Sequence, residues 1–103
     1  MSTKTKSPYL EKEWIETSEK IKALAHPIRL YIIALLKTQK ELNVTQLQEE
    51  LDLEQAVVSH HLNILKTRGV LNCRRDGKNM LYSLKNKKFL NILSCIETSF
   101  EEQ

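Results

Sequence analysis

Apolar residues in this chain keep a helical spacing up to Gly69, alternate for a short stretch, and then return to helical spacing. Leu10, Trp14, Ile21, Leu24 and Ala25 fall on one stripe, which predicts a helix over Leu10–Ala25. A second helix opens at "HPIRLYIIALLKT", where Pro27 follows His26 and suits the first helical position. Its run Leu30–Leu36 is apolar nearly all round, so this helix is expected to be the most buried. "KTQKELN" reads as a polar connector. Val44, Leu47 and Leu51 make the inner face of a short third helix, Val44–Leu51. "DLEQ" then turns the chain into a fourth helix that stops at Gly69.

Beyond Gly69 the period changes to two. "VLNCRR" and "NMLYSL" are β-like runs around Asp76-Gly77, a hairpin signal. "NKKFLNILSCIETSF" restores helical spacing, with Phe89, Ile92, Leu93, Ile96 and Phe100 on one stripe. The expected fold is therefore mainly α with one β-hairpin, in the order α-α-α-α-β-β-α. Residues 1–8 are polar and are expected to form a flexible N-terminal segment. Residues 9–103 form one domain, a fitting size for a chain of 103 residues.

Charge changes this picture more than composition does. The formal net charge is only +3, but Glu41–Glu54 holds five acids and no base, whereas Lys66–Lys88 holds eight bases and one acid, Asp76. A basic block is often a plain solvated surface; on one face of a fold it attracts a polyanion. No apolar run approaches the length of a membrane span, and the N-terminus has no apolar core of a signal peptide. A cytoplasmic protein with no membrane partner is expected. Two cysteines are too few for a disulfide scaffold.

The fourth helix carries two adjacent histidines, His60 and His61. Helical neighbours diverge by about 100°, so the pair cannot converge on one ion. On a helical wheel Val58, Leu62 and Leu65 form the apolar arc, widened by Val57 and Ile64, and His61 lies within it. His61 is thus expected at the core or its margin. Gln55, Ala56, Ser59, Asn63, Lys66 and Thr67 form the opposite, polar arc, with His60 on its edge. No acid lies between Gln55 and Arg68. Such a face can read base edges while the lysine holds phosphate. The third and fourth helices then make a helix-turn-helix, and the hairpin, with Arg74, Arg75 and Lys78 near its tip, a wing. The competing readings are a winged-helix module that binds protein, and a thiol-based redox-responsive regulator.

Three stretches in this order, "LAHPIRLYIIALL", "AVVSHHLNILKTRGVL" and "RRDGKNMLYSL", resemble the ArsR-type winged helix-turn-helix repressors of bacteria over about Ile21–Leu84. The resemblance implies a homodimer built from the first and last helices. Its interface would use Trp14, Ile21, Phe89, Leu93, Ile96 and Phe100. It also implies an inverted-repeat operator in double-stranded DNA. Gln55, Ser59 and His60 match positions that meet DNA in the family, and Arg75 and Lys78 match wing positions. Ala56 stands where many relatives carry serine.

The sensors of the family are where this chain departs. The segment in which many members carry two metal-binding cysteines reads "ELNVTQL" here, with Asn43 and Thr45 at those places. The last helix has no histidine, and the second helix no cysteine to pair with Cys95. No metal site, no cofactor and no particular effector is therefore expected. A buried, inert thiol is the ordinary expectation for Cys95, which flanks the apolar stripe; Cys73 precedes two arginines, which can lower a thiol pKa. No phosphate loop or nucleophile elbow is present, and Ser59 beside His60 has no acid to orient the imidazole, so no enzyme is expected.

Overall fold

The computed structural model describes residues 8–88, 90, 91, 94 and 95. Helix α1 spans Pro8–Leu24, beginning two residues before the expected Leu10, and α2 spans Pro27–Thr38. Between them His26 turns the chain: its backbone is extended and its Nδ1 accepts from the Ile28 N–H at 3.1 Å. A side-chain acceptor there satisfies one of the orphan donors of the first turn, and Pro27 needs none.

The connector after α2 is not wholly irregular. Leu42–Asn43 forms a strand, β1, which pairs antiparallel with the hairpin, so the wing belongs to a three-stranded sheet. The expected hairpin is present, and this short strand extends it. Leu42 is buried in the core, but Lys40, Glu41 and Asn43 surround it, and a two-residue strand is too short to show a period of two.

Helix α3 spans Val44–Leu51 and α4 spans Gln55–Thr67. Asn43 caps α3: its Oδ1 accepts from Gln46 N–H and Gln46 Oε1 accepts from Asn43 N–H, both at 2.8 Å. This reciprocal capping box starts a helix only eight residues long. Asp52 ends it in the left-handed region, φ 56°, which Asp tolerates better than most residues. At the far end of α4, Gly69 takes φ 80°; its N–H donates to Lys66 C=O, and Val70 N–H donates to Leu65 C=O. Those two bonds form a Schellman stop, with Val70 and Leu65 both fully buried beneath it.

Strands β2, Leu71–Asp76, and β3, Asn79–Leu84, complete the sheet in the order β1-β3-β2. Asp76 pairs with Asn79, so the central turn residues are Gly77 and Lys78. Gly77 alone has positive φ there, 67°, the pattern of a type II′ hairpin turn. After β3, Lys88, Leu90, Asn91, Ser94 and Cys95 are helical. The predicted apolar stripe of this last helix, Phe89, Ile92, Leu93, Ile96 and Phe100, lies outside the described residues, as do residues 1–7 of the expected N-terminal segment.

One core joins these elements. Ile32, Ile33 and Leu36 from α2, Leu47 from α3, Val58, Leu62 and Leu65 from α4, and Val70 and Leu71 at the root of the wing are buried together. Each fully buried aliphatic side chain contributes about 1.5–3 kcal/mol relative to exposure. Among its described side chains, helix α1 joins this core through its last turn, Ala23 and Leu24. Trp14, Ile15 and Ile21 stand 66%, 61% and 57% exposed.

Candidate nucleic-acid interface

Helix α4 is held by its apolar side, and the sequence dictates which side that is. Val58, Leu62 and Leu65 are fully buried and His61 is buried with them, which turns Gln55, Ala56, His60, Asn63, Lys66 and Thr67 outward. Ser59 lies at the edge, half-buried. Thus Gln55, Ser59, His60, Asn63 and Lys66 share the polar face that the wheel predicts. Val57 departs from the wheel: it is exposed rather than part of the buried arc, whereas Ile64, on the same side of the helix, is half-buried against the core.

The outward face carries hydroxyl, amide, imidazole and ammonium groups and no carboxylate. It offers both donors and acceptors, the inventory needed to read base edges, together with a cation for phosphate. The sheet follows α4 after three residues, Arg68–Val70, so the Schellman stop at Gly69 sets where the wing departs.

The wing cations are not equivalent. Arg74 reaches across the sheet and holds Glu41 with two parallel hydrogen bonds, Nε to Oε2 at 2.7 Å and Nη2 to Oε1 at 2.9 Å. Arg74 pairs with Leu81 on β3, and Asn43 pairs with Leu81 from the other side, so Glu41 on the approach to β1 comes within reach of it. This fork holds the Glu41 carboxyl below its ordinary pKa and raises that of Arg74, in each case chiefly by the shared hydrogen bond. Arg75 instead donates from Nε to the Gly77 carbonyl at 3.2 Å, bracing the turn while leaving its charge exposed. Lys78 is exposed at the turn itself. Composition showed three cations near the tip; the fold leaves Arg75 and Lys78 outward and ties Arg74 to a carboxylate 33 residues away.

Behind the polar face lies a contact that no sequence signal announced. Arg29, on α2, donates from Nε to His61 Nδ1 at 3.1 Å and from Nη1 to the Ala23 carbonyl at 3.3 Å. The His26 ring lies 4.6 Å from that of His61, and the His60 ring 5.3 Å. Burial first, and then the charges of His26, Arg29 and His60, lower the His61 pKa from its usual value.

Among the described residues, no three His, Cys, Asp or Glu side chains are grouped to hold a metal ion. The Nδ1 atoms of His26 and His61 already accept hydrogen bonds from the protein. Asn43 is occupied in capping α3. Cys73 and Cys95 are not joined in a disulfide. Cys73 is half-buried opposite Tyr82, and burial, then the neighbouring thiol, pushes the Tyr82 hydroxyl above its usual pKa. Cys95 is exposed, against the expectation of burial, since the described residues of this single chain do not cover that side of the last helix.

Residues 26–72, which run from the His26 cap through α4 into β2, match the family model described as bacterial regulatory protein, arsR family. The chain is 42% identical over 82 residues to the transcriptional repressor PagR of Bacillus anthracis, covering 79% of this chain and 81% of that protein. It is 32% identical over 93 residues to a biofilm growth-associated repressor of Agrobacterium fabrum, covering 90% and 79%. The crystal structure of PagR superposes with a TM-score of 0.76 at 36% identity, covering 84% of this chain and 98% of that one.

Proposed function

The chain belongs to the ArsR family of bacterial regulatory proteins and is a transcriptional regulator, and from that premise we propose that it represses by setting α4 into the major groove of an inverted-repeat operator, as a homodimer. The observation that carries this reading is the outward face of α4. It is polar, free of acids, and anchored from behind by a fully buried apolar face. A surface made for docking protein would expose an apolar patch there, and Val57 is the single large apolar residue of α4 that is exposed. On this reading Gln55, Ser59, His60 and Asn63 meet bases, Lys66 meets phosphate, and Arg75 and Lys78 bring the wing to the adjacent backbone. Arg74 serves chiefly to fix the wing against β1.

The two-fold assembly is supported by α1. Trp14 and Ile21, seven residues apart and so on one side of the helix, are exposed apolar side chains in the single chain. Pairing with α1 and the last helix of a second copy would cover them, with Phe89, Leu93, Ile96 and Phe100 supplying the remainder. A dimer of this kind places two recognition helices on one side of DNA, about one helical turn apart. Repression, rather than catalysis, is the role named for its relatives PagR and the biofilm growth-associated protein. Among the described residues no helix is long and apolar enough to cross a membrane.

Selection of bound duplexes from a randomised pool tests the reading directly. The expected product is a two-fold symmetric site with half-sites about 10 base pairs apart. Recovery of unenriched DNA, or of asymmetric sites bound by a monomer, would sink it.

A further inference from the structure

His61 is the one buried polar side chain among the described residues, and it lies on the inner side of the helix proposed to read DNA. Its other inner neighbours on α4, Val58, Leu62 and Leu65, make apolar contacts. Such contacts hold a helix at a given depth but have no strong directional preference. The Arg29–His61 hydrogen bond is directional, and bonds of this type weaken steeply with misalignment. Arg29 is itself fixed at its other end to the Ala23 carbonyl in the last turn of α1. The guanidinium therefore joins three helices, α1, α2 and α4, at one point. His60, the next residue on α4, takes its outward direction from wherever His61 is held.

The donor is an arginine, which has no acceptor and does not lose its proton. His61 Nδ1 must therefore be bare for the bond to exist, which requires the neutral ring with its proton on Nε2. A proton at Nδ1 turns the acceptor into a donor and sets an imidazolium against the guanidinium. Among the described residues, no group that acts on His61 compensates. The groups acting on His61 are His26 from the α1–α2 joint, Arg29 from α2 and His60 from its own helix, with no carboxylate among them.

We propose that Arg29 is a positioning residue for DNA reading, that it sets the recognition helix through the neutral ring of His61, and that protonation of His61 on acidification releases the helix and weakens sequence reading. The proposal rests on the assignment of α4 as the DNA-reading helix. Because the native His61 pKa is depressed, the unfolded chain takes up the proton first. The contribution of this contact is present in full above the ordinary histidine value of about 6.5 and is lost as the pH falls through the lower native value. The direction is the reverse of the general electrostatic trend. A protein that gains positive charge on acidification should bind a polyanion more tightly in acid.

The test measures fluorescence anisotropy of a duplex selected from a random pool, and of a random duplex, at about pH 7.5 and about pH 5 at fixed ionic strength. The wild-type protein is expected to lose about tenfold in affinity for the selected duplex on acidification, the scale of one hydrogen bond to a charged group, with less change on random DNA. His61→Asn keeps an acceptor near the place of Nδ1 and does not titrate, so its own ratio between the two pH values should be flat or reversed. Arg29→Ala should lower the preference for the selected duplex at the higher pH and show no further loss in acid. A wild-type protein that binds equally at both pH values overturns the proposal. So does a His61→Asn variant with the same acid loss, or an Arg29→Ala variant that keeps both the preference and the loss. A second measurement needs neither DNA nor a variant: the imidazole resonances of the wild-type chain and the amides of α4 are followed by NMR through the same range. The α4 amides should shift with the titration of His61, and amides that stay still through it overturn the proposal. If no duplex is selected, the DNA reading fails, while the NMR result still decides whether Arg29 and His61 set the helix.

Discussion

Helices α1 and α4 are both amphipathic, yet the fold treats them in opposite ways. Helix α4 packs its apolar face inside its own chain: Val58, Leu62 and Leu65 are inaccessible, and what remains outward is polar apart from Ala56 and Val57. Among its described side chains, helix α1 buries Ala23 and Leu24 at its C-terminal end and leaves Trp14, Ile15 and Ile21 exposed along its length. A helix with its apolar stripe satisfied is stable in the monomer and has a polar face to spare for a hydrophilic ligand. A helix with its stripe exposed has apolar surface left over, which is what the proposed pairing with a second copy would cover. The same periodicity in the sequence thus carries two messages, and what differs is whether the remainder of the chain supplies a cover.

The largest effect should fall on the satisfied helix. Leu62→Ala removes a fully buried side chain from the centre of the core and should cost about 2–5 kcal/mol of stability in urea unfolding. A loss well under about 1 kcal/mol would mean that α4 is not anchored as described. The open helix should respond differently. Trp14→Glu with Ile21→Glu changes exposed residues, so the helical content of the chain should persist while sedimentation shifts from dimer to monomer. A dimer that survives both charges would place the interface elsewhere.

Smaller effects separate α4 from the wing in the half proposed to read DNA. His60→Ala should cost about 1–3 kcal/mol on a selected duplex and little on random DNA; equal losses on both would reduce it to a backbone contact. On the wing, removing Lys78 or Arg75 should each lower the salt slope of binding by about 1. Arg74→Ala should change the slope less, because that charge is already matched by Glu41. An equal change for all three would show that Glu41 releases Arg74 to DNA. The smallest effect is expected of the thiols: Cys73→Ser with Cys95→Ser should leave duplex binding unchanged. If a mild oxidant releases the wild-type protein but not this variant, the redox-responsive reading is restored.

Much of this was legible beforehand because it depends on local regularities. Helix α3 is found at its expected bounds since Asn43 and Gln46 cap it within one turn. The end of α4 is written in Gly69, which alone of its neighbours takes a positive φ without strain. The inward turn of His61 and the outward turn of His60 follow from a wheel. The partition of α4 into buried and polar faces needed only composition and period, apart from Val57.

Partnerships between distant positions were not legible. Strand β1 exists because Leu42 and Asn43 find β3 some forty residues later, and two residues have no period of their own. Glu41 and Arg74 are 33 apart and Arg29 and His61 are 32 apart. In sequence Arg74 is one more cation in a basic block, and Arg29 one polar residue in an apolar helix. Amphipathic period, caps and turn chemistry act within a few residues, so the sequence by itself determined the elements and their faces. Which cation is held by a carboxylate, which ring accepts from an arginine and which apolar stripe is left uncovered depend on what the chain brings alongside, and only the tertiary structure decided them.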